Sequence, residues 1–260
     1  MKELTTKAVA TVGLDLAKTV FQVHGVDESG RRVFGRSLKR AEVMGFFASL
    51  PPCLVGMEAC SGAHHWARQL MALGHEVKLI APQYVRPYVK RQKTDANDAA
   101  AIAEAVRRPH MRFVAIKTVE QQVVLAQHRV REGLLKQRTA LSNRIRGLMA
   151  EFGVVVPLGM RALRERLAQA AAPLDGELPE AMRPVLAQLY EQLRALEKDI
   201  GQTELALQQW HRASETSKRL AETPGVGYLT ATATVATVND ARQYRSARQF
   251  GAALGITPRQ

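Results

Sequence analysis

Four carboxylates stand in the sequence where carboxylates are expensive. Asp95 and Asp98 lie three apart in Lys93-Thr94-Asp95-Ala96-Asn97-Asp98-Ala99, at the start of a segment that reads as a helix through Ala99, Ala100, Ile102, Ala103 and Val106. Helix positions i and i+3 share a face, so both acids point into one volume. Asp15 closes the apolar run Val9-Ala10-Thr11-Val12-Gly13-Leu14, and Glu58 closes Cys53-Leu54-Val55-Gly56-Met57. Acids at the carboxyl ends of two buried strands and at a helix start can meet at one end of a sheet. Two carboxylates about 4 Å apart repel by about 1 kcal/mol in water and about 4 kcal/mol at an effective dielectric near 20. Four together would protonate or spread unless a cation sat among them. Oxygen ligands suit Mg²⁺ or Mn²⁺, and two such ions about 3.5–4 Å apart clamp both oxygens of a phosphoryl displacement. The competing reading makes Asp95 an N-cap with Asp98 at N3, a capping-box variant favoured by the helix dipole. The two strand-end acids tip the balance towards metal.

The elements that would position these acids come in a telling order. Residues 8–37 read as three strands: Val9 to Leu14, Val20 to Val26 and Arg32 to Ser37, the last two joined through the turn Asp27-Glu28-Ser29-Gly30. A helix (Ala41 to Leu50), a buried strand (Cys53 to Met57), a helix (His64 to Leu73) and a further strand (Glu76 to Ile80) follow. Three antiparallel strands and then alternating strands and helices give a mixed sheet with flanking helices. Acids on its first and fourth strands and on a late helix resemble the ribonuclease H-like fold of polynucleotidyl transferases and resolvases. His64 and His65 are adjacent, about 100° apart on a helix, and cannot share an ion through one face; a plain helix-start pair is the expectation. His24 reads as an ordinary strand residue.

Composition narrows the partner. The formal net charge is +13 and the pI about 10.2, which points to a polyanion, nucleic acid before membrane. The longest weakly polar run, Leu229 to Val238, is about half the roughly 20 residues a membrane-spanning helix needs. No signal-peptide core precedes Asp15 and Lys18. Cys53 and Cys60 form no CxxC and read as reduced structural cysteines, so the expected location is cytoplasmic. An aromatic content of 5% argues against a base-stacking single-strand binder.

From Thr118 to about Phe152 the pattern becomes helical. Val130, Leu134, Leu141, Ile145, Leu148 and Phe152 recur at spacings of three, four and seven. Arg129, Arg131, Lys136, Arg138, Arg144 and Arg146 lie on the other faces, as solvated surface or as a phosphate track. After a loop marked by Pro157, Gly159, Pro173, Gly176 and Pro179, a heptad runs through Met182, Leu186, Leu189, Leu193, Leu196, Ile200, Leu207 and Trp210, with Thr203 as its lapse. Sustained heptads predict a coiled coil, within the chain or between chains as a dimer or tetramer. Then Pro224-Gly225-Val226-Gly227 leads into a small-residue helix, Tyr228 to Val238. This resembles a helix-hairpin-helix turn, in which Gly225 and Gly227 let the backbone approach a phosphate. Residues 217–260 are too few to bury a core alone.

Taken in order, Gly13-Leu14-Asp15, Gly56-Met57-Glu58-Ala59-Cys60-Ser61-Gly62, Lys93-Thr94-Asp95-x-x-Asp98-Ala99, Pro224-Gly225-Val226-Gly227 and Phe250…Leu254-Gly255-Ile256-Thr257-Pro258 resemble the DEDD transposases of bacterial insertion sequences, the group called "IS one-ten / IS eleven-eleven". The match covers nearly the whole chain. The resemblance implies a RuvC-like (RNase H-like) domain over 1–115 with Asp15, Glu58, Asp95 and Asp98 as its Mg²⁺ site. It implies a helical coiled-coil region over 116–216 and an incomplete carboxyl-terminal transposase domain over 217–260. It further implies recombination of double-stranded DNA under guidance of a structured RNA. The family's serine nucleophile is expected in a Ser-Gly motif shortly after the segment matching Gly255 to Pro258, which residues 1–260 do not contain; the expectation is a chain not competent alone. Two alternatives come from other classes: a RuvC-like metal-dependent, structure-specific endonuclease using water, and a non-catalytic nucleic-acid-binding oligomer.

Overall fold

The structure, a computed structural model, describes residues 9–90, 94–170, 178–238, 241–253 and 255. Lys93, Pro173, Gly176, Asp240, Leu254 and Ile256 to Gln260 lie outside the described residues. The chain forms two compact units, one of residues 1–118 with 238–260 and one of residues 119–237.

The first unit is built on a sheet. β1 (Thr11–Asp15), β2 (Val20–Val26) and β3 (Arg32–Lys39) are antiparallel neighbours, and the Asp27–Gly30 turn closes the hairpin with Gly30 N–H donating to Asp27 O at 3.0 Å. A 3₁₀ turn (Arg40–Glu42) and α1 (Val43–Ala48) occupy the predicted first helix, and β4 (Leu54–Glu58), α2 (Ala63–Ala72) and β5 (Glu76–Ile80) follow as expected. The short α3 (Pro82–Val85), a second 3₁₀ turn, α4 (Asp95–Val106) and a two-residue β6 (Phe113–Val114) complete this region. Strand order is β3-β2-β1-β4-β5-β6, with β4 parallel to β1, β5 parallel to β4, and β6 antiparallel to β5. This six-stranded mixed sheet with flanking helices is consistent with an RNase H-like DEDD domain.

Period-2 alternation decides which helix goes where. Val12, Leu14, Phe21, Val23, Val55 and Met57 face one way and are buried with Phe46 and Phe47 of α1 and Trp66 and Leu70 of α2. Burying each such side chain contributes about 1.5–3 kcal/mol, so this face dominates the stability of the unit. Against the opposite face lies α4, whose Ile102, Ala105 and Val106 are buried with Ile80 and Val85. Beyond residue 237 this unit also contains α10 (Ala247–Ala253), where the rings of Tyr244 and Phe250 meet edge to face at 5.2 Å.

The second unit is helical. α5 (Val119–Ala150) and α7 (Met182–Ala213) are each 32 residues long. They run antiparallel: Leu141, Ile145 and Met149 near the end of α5 are buried with Leu186, Leu189 and Leu193 near the start of α7. At the other end, Val124 of α5 meets Leu207 of α7. Of the α7 heptad, Leu186, Leu189, Leu193, Ile200 and Leu207 are buried, and Met182, Leu196 and Trp210 are half-buried. On α5 the stripe is corrected: Val130 and Phe152 are exposed, and the inward positions are Val124, Leu141, Ile145 and Met149. The expected loop is also corrected, since α6 (Met160–Ala170) forms there and buries Leu163 and Leu167 in the same core. α8 (Glu215–Ala221) and α9 (Tyr228–Thr237) pack back onto the long pair, with Ala236 beside Val124 and Leu207. By compactness residues 217–237 therefore go with the long helices. Among the described residues no helix is long and apolar enough to cross a membrane.

Candidate metal centre

The site begins with the way α4 is seated. Gly13 and Gly56 are paired in register on the parallel strands β1 and β4. A Cβ on Gly13 would lie 2.1 Å from the Ala99 carbonyl oxygen and 2.5 Å from Ala103 N; one on Gly56 would lie 2.8 Å from Val106 Cβ. The helix backbone thus rests directly on the sheet, as only glycine permits at position 13. Residues i and i+2 of a strand share a face. Asp15 and Glu58, two residues beyond these glycines, therefore point to the side that carries α4. Glycine two residues before each strand-end acid was the sequence signal for this arrangement, and residue-type reasoning passed over it.

The start of α4 is set by Thr94. Its extended backbone (φ −138°, ψ 150°) and its Oγ1, which accepts from Asn97 N–H at 3.3 Å, make it the N-cap. Asp95 and Asp98 are then the first and fourth helical residues, so the reading of Asp95 as the cap is corrected. Both acids still lie in the first turn, where the helix dipole favours negative charge.

Asp15, Asp95 and Asp98 each place a carboxylate oxygen within 4.8 Å of the others, the one group of three or more potential metal ligands among the described residues. Asp15 shows what this crowding costs. Its pKa is raised to about 6, first by burial and then by the charges of Asp98, Asp95 and Glu58, with the Leu16 backbone N–H acting against them. Glu58 ends the adjacent strand and adds its charge, but its carboxylate is outside the group of three. The structure thus brings together three of the four expected acids and leaves the fourth beside them.

The histidines do other work. His64 Nδ1 accepts from Lys117 N–H at 3.2 Å, while Arg68 Nη1 donates to Lys117 O at 2.5 Å. Burial, then Lys117 and Arg68, push His64 down to about 4, so it is neutral and anchors the segment after β6. His65 packs edge-on against Trp66, and His24 lies within β2, its pKa lowered by burial and by Arg32.

The six cations of α5 do not form one track. At 100° per residue Arg129, Lys136 and Arg144 share a side, with Arg131, Arg138 and Arg146 turned away. The first three are exposed and the second three half-buried. Arg131 Nε donates to Glu204 Oε1 of α7 at 2.7 Å, and Arg146 holds the Pro157 and Gly159 carbonyls. Lys136 pairs with Glu132 on its own helix. The glycine turn is as expected in outline. Val226 N–H donates to Thr223 O at 3.0 Å with Gly225 at φ +84°, a type II turn that needs glycine there. At Gly227 a Cβ would meet nothing within 4 Å, so the chain's own packing does not require a glycine.

Comparison with known proteins gives two family matches: one described as "Transposase" over residues 12–153, the other as "Transposase IS116/IS110/IS902 family" over residues 217–260. A "Probable family 20 transposase" of Pseudomonas aeruginosa is 49% identical over 253 residues, covering 97% of this chain and 75% of that protein. The "Transposase for insertion sequence element IS1111A" of Coxiella burnetii is 45% identical over 98% of this chain and 70% of its own length. The "Transposase for insertion sequence element IS1328" of Yersinia enterocolitica is 39% identical over 97% and 75%. Across its curated relatives of this similarity the chain spans 65% to 75% of their length.

Proposed function

We propose, for a chain that belongs to the IS110/IS1111 family of insertion-sequence transposases, that Asp15, Asp95 and Asp98, with Glu58 turning in, hold Mg²⁺ or Mn²⁺ at the scissile phosphate of double-stranded DNA. As a member it is a DNA transposase of the recombinase type. The observation that carries the metal reading is the approach of three carboxylate oxygens to within 4.8 Å. An all-oxygen donor set fits these hard cations, and a carboxyl raised to about 6 by burial and then by its acidic neighbours gains from one. When bound, the ion supplies charge neutralisation at a phosphoryl oxygen.

The chain's own residues do the rest. Thr94 fixes the first turn of α4 and Gly13 fixes its height above the sheet, so Asp95 and Asp98 face Asp15 without reorganisation. Arg129, Lys136 and Arg144 form the exposed half of a phosphate-contacting face on α5, and Gly227 leaves the start of α9 open to a phosphate. The resemblance adds a structured guide RNA and a serine nucleophile in a Ser-Gly motif that follows the segment matching Gly255 to Pro258. The heptad of α7 is buried within the chain against α5 and α6, so a dimer or tetramer would assemble through other faces. Metal binding is the property that tests the acidic cluster directly. Titrating Mg²⁺ into the protein and into Asp98→Asn should give a thermal shift that the variant loses without melting earlier in the absence of metal. An unchanged Mg²⁺ response in Asp98→Asn would remove this residue from the site.

A further inference from the structure

β3 is the edge of the sheet, and its side chains are unusual for an edge. On one face Arg36 lies between the buried Phe34 and Leu38, and Arg40 follows at the strand end. Both arginines are exposed. Among the described residues neither guanidinium pairs with a carboxylate; each is seated over aromatic rings instead. Arg36 Cζ is 4.3 Å from the ring centre of Phe46, and Arg40 Cζ is 5.1 Å from Trp66 and 5.8 Å from Phe21. A charged edge strand has a ready explanation, since charge discourages pairing with another sheet edge. That role asks only for charge, whereas here the exposed guanidinium groups also rest over aromatic rings. Such a seat preserves the fork geometry that suits phosphate and reduces what immobilising an arginine would cost.

Position gives the seat a direction. β3 pairs with β2 as Val20↔Lys39 and Gln22↔Ser37, and Gln22 in turn pairs with Asp15. Arg40 N–H donates to Thr19 O at 2.8 Å, in the turn that follows Asp15 and carries the exposed Lys18. Arg40 therefore stands at the end of the sheet that bears the acidic cluster, on the α1/α2 face rather than the α4 face of the acids, and Arg36 lies four residues back along the edge. At about 3.3 Å per residue the two are about 13 Å apart, close to four nucleotides of axial rise in a duplex at about 3.4 Å each.

We infer that the β3 edge is a nucleic-acid contact: Arg36, seated over Phe46, and Arg40, seated over Trp66 and Phe21, grip the phosphodiester backbone of a strand that leads to the acidic end of the sheet. The inference rests on the reading of the chain as a nucleic-acid enzyme, and the same experiment tests the two separately. Affinity of the whole chain for a duplex DNA and for a hairpin RNA is measured by fluorescence anisotropy across a salt series. The proteins compared are wild type, Arg36→Gln/Arg40→Gln, Arg36→Lys/Arg40→Lys, and a charge-matched control, Arg194→Gln/Lys198→Gln on α7. On duplex DNA the Gln pair should flatten the slope of log K against log[salt] by about 1.8, at about 0.9 per phosphate. The Lys pair should keep the slope and bind more weakly, because charge remains and the planar fork is lost. The nucleic acid on which the slope changes, DNA or RNA, names the strand held. Phenylglyoxal protection on the wild type reads the same contact without a variant: both arginines should react slowly when the nucleic acid is added. Wild-type slopes in the Gln pair on both nucleic acids with Arg36 and Arg40 unprotected, or an equal flattening in the α7 control, would overturn the edge contact. No salt-dependent binding by the wild type at all would instead overturn the nucleic-acid reading beneath it.

Discussion

Gly13→Ala tests the seat of α4 where it is tightest. The new methyl carbon would sit 2.1 Å from the Ala99 carbonyl oxygen and 2.5 Å from Ala103 N, and Cβ contacts under 3.0 Å are essentially never seen. Both obstacles are backbone, so no rotamer change relieves them; the helix must retreat by about 1 Å next to Asp98. Overpacking costs about 1–3 kcal/mol, and a clash of backbone on backbone belongs at the upper end. At about 2–4 °C per kcal/mol for a chain of this size, 3 kcal/mol lowers Tm by roughly 6–12 °C. Gly56→Ala meets the side chains of Val106 and Ile102, at 2.8 and 3.1 Å, towards the far end of α4. It should cost about 1–2 kcal/mol and leave the acids in register. Differential scanning fluorimetry with and without Mg²⁺ separates the two. A site saturated a hundredfold over its Kd stabilises wild type by about 2.7 kcal/mol; Gly56→Ala should keep that gain and Gly13→Ala should lose it. A Gly13→Ala protein that melts like wild type and responds fully to Mg²⁺ would show that α4 does not rest on β1 at this point.

The remaining predictions concern charge and helix chemistry. Asp15 has a folded pKa near 6, above its ordinary 3.8, so without metal its contribution is favourable below pH 3.8 and is lost as pH rises through 6. Asp15→Asn should therefore stabilise the metal-free protein by about 1–2 kcal/mol at pH 7.5, after discounting for solvent screening, and by little at pH 4; urea melts at the two pH values check the sign. Thr94→Ala removes the α4 cap and should cost about 1 kcal/mol in a denaturant melt. Gly201 is mid-helix in α7, exposed and open to a methyl group, so Gly201→Ala should raise stability by about 0.8–1.0 kcal/mol in the same melt.

The acids were legible because strand ends and helix starts are written in hydrophobic pattern, which is local. The same holds for β1 to β5 and for the two long helices. What escaped was set by distant partners or by projection. β6 is two residues long and exists through its pairing with Leu79 and Ile80. α6 buries Leu163 and Leu167 with Met160 packed beside them, too faint a period between the flanking Pro157, Gly159 and Pro173. Val130 fits the helical period of α5 yet remains exposed, because period alone does not say where the partner helix lies. The six α5 cations looked like one face until each was placed at 100° per residue. Glu58 was grouped with the aspartates by its place at a strand end, but its longer side chain is not fixed by that place.

The antiparallel pairing of α5 and α7 has a consequence for how this protein can vary. Val124 near the start of α5 and Ala236 near the end of α9 share one small core, and Gln121 Nε2 donates to Val235 O at 3.5 Å. The chain therefore enters the helical unit and leaves it at the same end, and everything between is a hairpin about 48 Å long, at 1.5 Å for each of 32 residues. Matched deletions or additions of seven residues in both helices would move the α6 tip by about 10 Å while restoring every inward-facing position. The length of the hairpin would change and the small core at its base, with Val124, Leu207 and Ala236, would not, which lets selection adjust the one without the other.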